Sequence, residues 1–236
     1  MKNNMYTLST KQWSPFVGCY YDCAYCKTSF QAQLKRYGKQ HCSNCYNYTP
    51  HTHPERLKQK LPQTRYMRFI FTCANGDISF CPPEFMEKIL QRIRQESDKS
   101  FLLQTKNPAV LDGMVFPKNM VLGTTIETNR DNGYSVFSRA PLPSQRYKDF
   151  LKISHPFKMV TAEPLMDFDV DVMIEWISNI NPCMVWLGYD SKHTGMLPEP
   201  HPNKVKELHW ELSRRGFVII LKTIREEDAG MRGVGE

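Results

Sequence analysis

Met67-Arg-Phe-Ile-Phe-Thr72, then Pro82-Pro-Glu-Phe-Met-Glu-Lys-Ile-Leu-Gln-Arg-Ile-Arg-Gln95, then Phe101-Leu-Leu-Gln104 read as strand, helix, strand. The first and last runs are short and rich in apolar residues, the signature of strands buried on both faces in parallel sheets. Between them Phe85, Met86, Ile89, Leu90 and Ile93 recur at helical spacing, so Glu84–Gln95 forms an amphipathic helix. Pro83 suits its start, because proline has φ preset and gives up only an N–H without a helical partner there.

The same rhythm continues outward. Met120–Ile126, Phe157–Thr161, Met184–Leu187 and Phe217–Leu221 are further strand candidates. The spacing predicts a short helical turn from Asn107-Pro108. It also predicts a helix over Gln145–Ile153 capped by Ser144, one over Asp169–Ile180, and one over Asn203–Arg215 stopped by Gly216. Alternation of this kind points to right-handed βα units and a mostly parallel sheet. About six units fit, fewer than the eight of a closed barrel, so the expected fold is a partial (βα)6 barrel. The chain reads as a single domain over 1–236, with an insertion at about 39–62 after the first βα unit. A polar, Gly-rich tail at about 225–236 is expected to fray.

Trp13-Ser-Pro-Phe-Val-Gly-Cys19-Tyr-Tyr-Asp-Cys23-Ala-Tyr25-Cys26 carries the chemistry. Three thiolates at spacings of four and three can each take one iron of a cubane cluster and leave the fourth iron open. Gly18 lets the backbone approach such a cluster. A zinc site completed by Cys42 or a histidine, or three unrelated thiols, are the competing readings.

The loop resembles the signature of the radical S-adenosylmethionine (SAM) superfamily. Phe101-Leu-Leu-Gln-Thr105-Lys106-Asn-Pro, Leu122-Gly-Thr124-Thr125-Ile-Glu127-Thr, Thr161-Ala-Glu163-Pro-Leu165, Trp186-Leu-Gly188-Tyr and His53-Pro-Glu-Arg-Leu57 are similar to phage-associated members related to spore photoproduct lyase. The resemblance implies a [4Fe–4S] cluster on Cys19, Cys23 and Cys26, with SAM on the open iron and Tyr25 beside the adenine. It implies reductive cleavage of SAM to a 5′-deoxyadenosyl radical, fed by an external flavodoxin- or ferredoxin-type donor. Members often carry Gly-Gly-Glu where this chain has Asn75-Gly76-Asp77. Asp77 is one methylene shorter than Glu, so Asn75 shares the expected task of holding the SAM amino group.

In parallel barrels reactive side chains gather at the C-terminal ends of strands, which selects Thr105, Lys106, Thr125, Glu127, Glu163 and Lys222. Lys106 is the candidate for the SAM carboxylate, and Thr124, Thr125 and Glu127 for the ribose. Glu163 is expected to hold SAM or substrate, and Lys222 to face substrate. Salt bridges tying loops together are the alternative for each. Cys73 and Cys183 are candidates for a hydrogen-atom relay, against the commoner buried structural cysteine.

Cys42 and Cys45, followed by His51 and His53, offer a tetrahedral donor set for a structural zinc. A half-site completed by Cys73 or Cys81, a ligand set for a second cluster, or no metal remain open. The surrounding segment is strongly basic. Lys27 to Arg68 holds Lys27, Lys35, Arg36, Lys39, Arg56, Lys58, Lys60, Arg65 and Arg68 against Glu55 alone, which accounts for the whole +7 excess of the chain. With Tyr37, Tyr46 and Tyr48 this composition suits a single strand or a flipped base, or merely a solvated face.

Eight cysteines without a secretory leader argue for metal or redox chemistry rather than disulfides. No apolar run approaches the ~20 residues of a membrane span, so a cytoplasmic protein is expected. The expected function is radical SAM chemistry on a nucleic-acid base or nucleotide. A peptide or small-metabolite substrate is the alternative within that class. A non-enzymatic zinc or iron–sulfur nucleic-acid-binding module is the alternative outside it.

Overall fold

The computed structural model describes residues 6–36, 38–192, 195–225 and 230. Tyr37 and most of the polar tail lie outside the described residues. In chain order the elements are β1 (Ser9–Trp13), β2 (Phe16–Val17), α1 (Ala24–Lys27), α2 (Phe30–Lys35), α3 (Ser43–Asn47), β3 (His51–Thr52), β4 (Phe69–Thr72), α4 (Pro83–Arg94) and β5 (Phe101–Thr105). There follow β6 (Met120–Thr125), α5 (Pro143–Lys152), β7 (Lys158–Ala162), α6 (Val170–Ile180), β8 (Met184–Gly188), α7 (Pro202–Arg214) and β9 (Ile219–Lys222). The hydrogen-bonded strand order is β1-β4-β5-β6-β7-β8-β9, and β2 pairs with β3.

The protein is therefore mixed α/β with seven strands in its main sheet, not the six of the expected repeat. The uncounted strand is β1. Its sequence Ser-Thr-Lys-Gln-Trp buries only its two ends and lacks the continuous apolar run that marks its neighbours. The repeat is also uneven, because β5 is followed by a single 3-10 turn over Pro108–Leu111 rather than an α-helix.

Two compact units divide the chain. The first comprises Met1–Tyr20, Ser29–Thr105 and Met114–Leu122. Within it β1 runs parallel to β4 and β4 to β5, with Trp13 opposite Thr72 and Thr72 opposite Leu103. Phe85, Met86, Ile89, Leu90 and Ile93 of α4 are all buried, as their spacing requires, and Pro83 occupies the first turn. The insertion contributes α3, β3 and a 3-10 turn over Pro54–Lys58.

The second unit comprises Tyr21–Thr28, Lys106–Gly113 and Gly123–Glu236. Here β7, β8 and β9 are parallel, with Ala162 opposite Leu187 and Gly188 opposite Lys222. Met173, Ile174 and Ile177 of α6 are buried, and α7 stops before Gly216, whose φ is +85°. The start of α5 departs from expectation. Pro143 opens the helix after Leu142, and Ser144 lies inside the first turn. Its backbone N–H donates to Asp131 Oδ1 at 3.0 Å and its hydroxyl to Oδ2 at 2.5 Å. A carboxylate brought by another segment thus does the capping, and it also complements the helix dipole.

One close approach in the first unit fixes two glycines. Gly18 N–H donates to Asn75 O at 3.0 Å, and Asp77 N–H donates to Gly18 O at 3.1 Å. A Cβ on Gly76 would sit 2.7 Å from Gly18 N and O. One on Gly18, at φ +102°, would lie 2.4 Å from the backbone of Thr49. Gly18 and Gly76 are thus required by backbone packing. Gly76→Ala is expected to lower unfolding stability by about 2 kcal/mol through overpacking. A urea titration checks this, and an unchanged midpoint would contradict it.

Candidate functional site

The cysteine loop leads into a buried polar network in the second unit. Cys23 precedes α1 and is buried, and its thiol lies 3.1 Å from Ser138 Oγ. A hydrogen bond from the Cys26 side chain holds the Cys23 pKa down at about 6. The Lys106 ammonium, 3.4 Å away, adds to this against the effect of burial. Cys23 is thereby poised as a thiolate at neutral pH.

Lys106, directly after β5, also pairs with Glu127 Oε1 and lies 4.5 Å from the Tyr25 ring centroid. Glu127, two residues beyond β6, is 0% exposed. Its Oε1 accepts from Tyr25 Oη at 2.6 Å and Tyr134 Oη at 3.1 Å. Its Oε2 accepts from Arg146 Nη1 at 2.7 Å. Burial would raise the Glu127 pKa, but the Arg146 and Lys106 charges hold it at about 2. Burial likewise opposes the charge on Lys106, yet Cys23 and Glu127 raise its pKa well above the usual range.

Arg146 and Tyr134 belong to this network and were not singled out in the sequence. Arg146 is fully buried in α5, stacks 4.9 Å from the Tyr134 ring centroid, and keeps Nε and Nη2 without partners among the described residues. The readable signal was its place on the apolar stripe of α5 with Pro143 and Phe150, where an arginine needs a buried counter-charge.

A second pair stands at the strand ends of the same unit. Lys222, last in β9, donates to Glu163 Oε1 at 2.7 Å. Glu163 follows β7, and its Oε2 is buried without a partner among the described residues. Burial raises the Glu163 pKa, with Lys222 acting against it. Gly188 ends β8 between them, where a Cβ would meet Lys222 O at 2.5 Å. Cys183 is not part of this group. It precedes β8, and its thiol donates to Lys158 O at the start of β7, at the opposite ends of these strands. Thr124 and Thr125 are buried at the end of β6.

In the first unit Cys19 is half-buried and its N–H donates to Tyr48 O at 3.2 Å. Asp77 Oδ1 accepts from Thr105 Oγ1 at 2.6 Å, from Ser79 Oγ at 2.6 Å and from Ser79 N–H at 3.1 Å. Asn75 Oδ1 is buried without a partner among the described residues. Cys73 is enclosed at the end of β4, and burial raises its thiol pKa far above the ordinary value.

Cys42, Cys45, His51 and His53 converge. Their ligand atoms all lie within 4.8 Å of one another, and the group could hold a metal ion. His51 Nε2 is 3.3 Å from Cys42 Sγ and 3.4 Å from Cys45 Sγ, and His53 Nε2 is 3.2 Å from Cys45 Sγ. Neither Cys73 nor Cys81 belongs to this group.

Residues 5–195 match DUF5131, described as a protein of unknown function. The chain belongs to the DUF5131 family. No curated protein matches it. In this DUF5131 chain no helix among the described residues is long and apolar enough to cross a membrane.

The basic segment is largely exposed. Lys27, Lys35, Arg36, Lys39, Lys58, Lys60, Arg65 and Arg68 are all open to solvent. Arg56 is not free in the same way, since its guanidinium donates to Ser14 O at 2.8 Å. Tyr48 is 8% exposed and packs with Val17, Leu34 and Cys45, so it is core rather than a stacking platform. Tyr66, which sequence reading passed over, is 100% exposed between Arg65 and Arg68 at φ +57°.

Glu127→Gln strands the buried charges of Lys106 and Arg146, and is expected to cost about 3–5 kcal/mol at neutral pH. The wild-type carboxyl is depressed from 4.5 to about 2. Its contribution is therefore present above pH 4.5 and lost as pH falls through about 2. The stability gap between wild type and variant should narrow across that window in urea titrations. A gap that stays constant would remove Glu127 as the charged centre.

Proposed function

We propose that this chain is a radical SAM enzyme with a partial barrel of that kind, acting on a nucleic-acid base or nucleotide. Cys19, Cys23 and Cys26 would hold its [4Fe–4S] cluster. The observation that carries the reading is the three-cysteine loop with the Lys106 ammonium 3.4 Å from Cys23 Sγ, an arrangement that also lowers the Cys23 thiol pKa. A low thiol pKa favours the thiolate that iron requires. All three cysteines lie within one eight-residue stretch, so the donor chemistry fits the cluster.

When bound, the reduced cluster and SAM supply the one-electron chemistry that removes a hydrogen atom from an unactivated carbon. The chain's own residues bind and orient. Lys106 offers a cation for the SAM carboxylate, and Glu127 positions both Lys106 and Tyr25 from behind. Asn75 Oδ1, a buried acceptor without a donor among the described residues, suits the SAM amino group, with Asp77 nearby in the chain. Glu163 Oε2 is a second such acceptor and, with Lys222, suits a substrate presenting both a donor and an acceptor, as the edge of a base does. Electrons would come from an external flavodoxin- or ferredoxin-type protein.

Exposed Tyr66, flanked in sequence by exposed Arg65 and Arg68 within a basic segment, supports the nucleic-acid half of the reading, with phosphates met by cations and a base by the ring. Anaerobically reconstituted wild type should bind iron and sulfide and, with dithionite, release 5′-deoxyadenosine from SAM. Cys26→Ala should do neither, and retained cleavage in that variant would end the enzyme reading. Single-stranded DNA should bind with an affinity that falls steeply with salt, and Tyr66→Ala should weaken it by about 1 kcal/mol or more. Absent or salt-insensitive binding would turn the proposal toward a metabolite or peptide substrate.

A further inference from the structure

The four donors at Cys42, Cys45, His51 and His53 have a defined chemistry. His51 Nδ1 lies 2.7 Å from Thr49 O, and His53 Nδ1 lies 2.9 Å from Glu55 Oε1. Both partners only accept, so each Nδ1 carries its ring's proton and each Nε2 presents a lone pair. Those two Nε2 atoms face each other at 2.8 Å, with both sulfurs beside them. Orienting contacts of this kind on the far ring nitrogen are typical of metal-bound imidazoles. Zinc–sulfur bonds of about 2.3 Å and zinc–nitrogen bonds of about 2.0 Å imply sulfur–nitrogen edges near 3.5 Å in a tetrahedron. The observed 3.2–3.4 Å edges are close to that size. Cys45 N–H also points at Cys42 Sγ at 3.4 Å, which turns the Cys-x-x-Cys corner around the donor set.

The ligand-bearing segment is bonded along the backbone that leads to Cys19. His51 pairs with Val17 and Thr52 with Phe16. His53 N–H donates to Pro15 O at 2.6 Å, and Cys19 N–H to Tyr48 O at 3.2 Å. Cys19 and Cys42 both pack on the small core formed by Val17, Leu34, Cys45 and Tyr48. Gly18 touches Thr49 so closely that no side chain fits.

We propose that Cys42, Cys45, His51 and His53 bind one zinc ion whose work is to fix the Phe16–Cys19 backbone and so present the Cys19 thiol. Four protein donors fill the tetrahedron and leave no open position, so the ion is structural and not reactive. The zinc site stands on its own geometry. Only its consequence for cluster assembly rests on the radical SAM reading above.

The test uses full-length Cys26→Ala protein, in which the proposed cluster is disabled. Metal analysis should find about one zinc per chain, and Co2+ exchanged into the site should show the visible bands of a tetrahedral sulfur–nitrogen complex. Removing the metal with a chelator should speed amide exchange at Gly18, Cys19 and Asp77 by about tenfold or more, as expected when a local tie is lost. Amides of β8 and β9 should keep their rates, and re-added zinc should restore protection. The same should follow from Cys42→Ser. If that variant fails to fold, the chelation cycle still decides. Absence of zinc, iron at this site, or zinc loss without faster exchange at those amides would overturn the inference. Failure of SAM cleavage in wild type with these results intact would fault only the radical SAM reading.

Discussion

A carboxylate taken wholly out of water loses several kcal/mol of hydration and must recover it from its neighbours. Glu127 does so from two cations and two phenols: Lys106, Arg146, Tyr25 and Tyr134. Those donors arrive from different parts of the second unit: α1, the residue that follows β5, the turn at Tyr134–Val136 and α5. One buried charge therefore sets the position of four side chains. It fixes Lys106 beside Cys23, which in turn favours the thiolate form of that cysteine. Moving any member would leave a charge or a hydroxyl buried without a partner, which is why the arrangement is a strong constraint on the loop that carries Cys23 and Cys26.

The first unit solves a similar positioning problem without buried charge. Its backbone segments are brought into direct contact by glycines, Gly18 against Gly76 on one side and against Thr49 on the other. Gly76 had been read as part of a cofactor-binding triplet, and its stronger physical reason is this contact. Trp13 Nε1 bonds to Arg56 O and Arg56 reaches Ser14 O. The chain from Trp13 to Cys19 is thus held by the insertion along most of its length. Arg56 counts toward the basic charge of the segment, but its geometry makes it a tie.

Sequence reading located the strands that are apolar throughout, because β4 to β9 are nearly all buried and the 3.6-residue stripes between them are unambiguous. It implied a first strand ahead of the insertion but could not bound β1, whose middle residues are half-exposed and polar. It missed α1, α2 and α3, which are too short to show a period. The charged strand-end residues were legible from position alone, whereas their partners were not. Lys106 with Glu127 and Lys222 with Glu163 are pairings across 21 and 59 residues, and no local pattern encodes such a distance. Arg146 sat in plain view on an apolar helix face. The four-donor group was legible because its spacing is local. Tyr48 was misplaced and Tyr66 passed over because composition counts aromatics without saying which face water.

The donor sets themselves argue for different roles. Three thiols on one short loop would satisfy three corners of a cubane and leave room for a ligand, whereas two sulfurs and two nitrogens would close a tetrahedron. The insertion has few apolar residues with which to build a core, so a metal tie is the economical way to stiffen it. That stiffness reaches the basic surface. Leu34 of α2 packs with Cys45 and Tyr48, and Lys35 lies over the Tyr46 ring of α3 at 5.9 Å. Lys35 and Arg36 therefore project from a helix braced on the four-donor group. Cations held in place lose less freedom on meeting phosphates than cations on a free loop. A metal that fixed the Cys19 backbone would on this argument also order part of the basic surface.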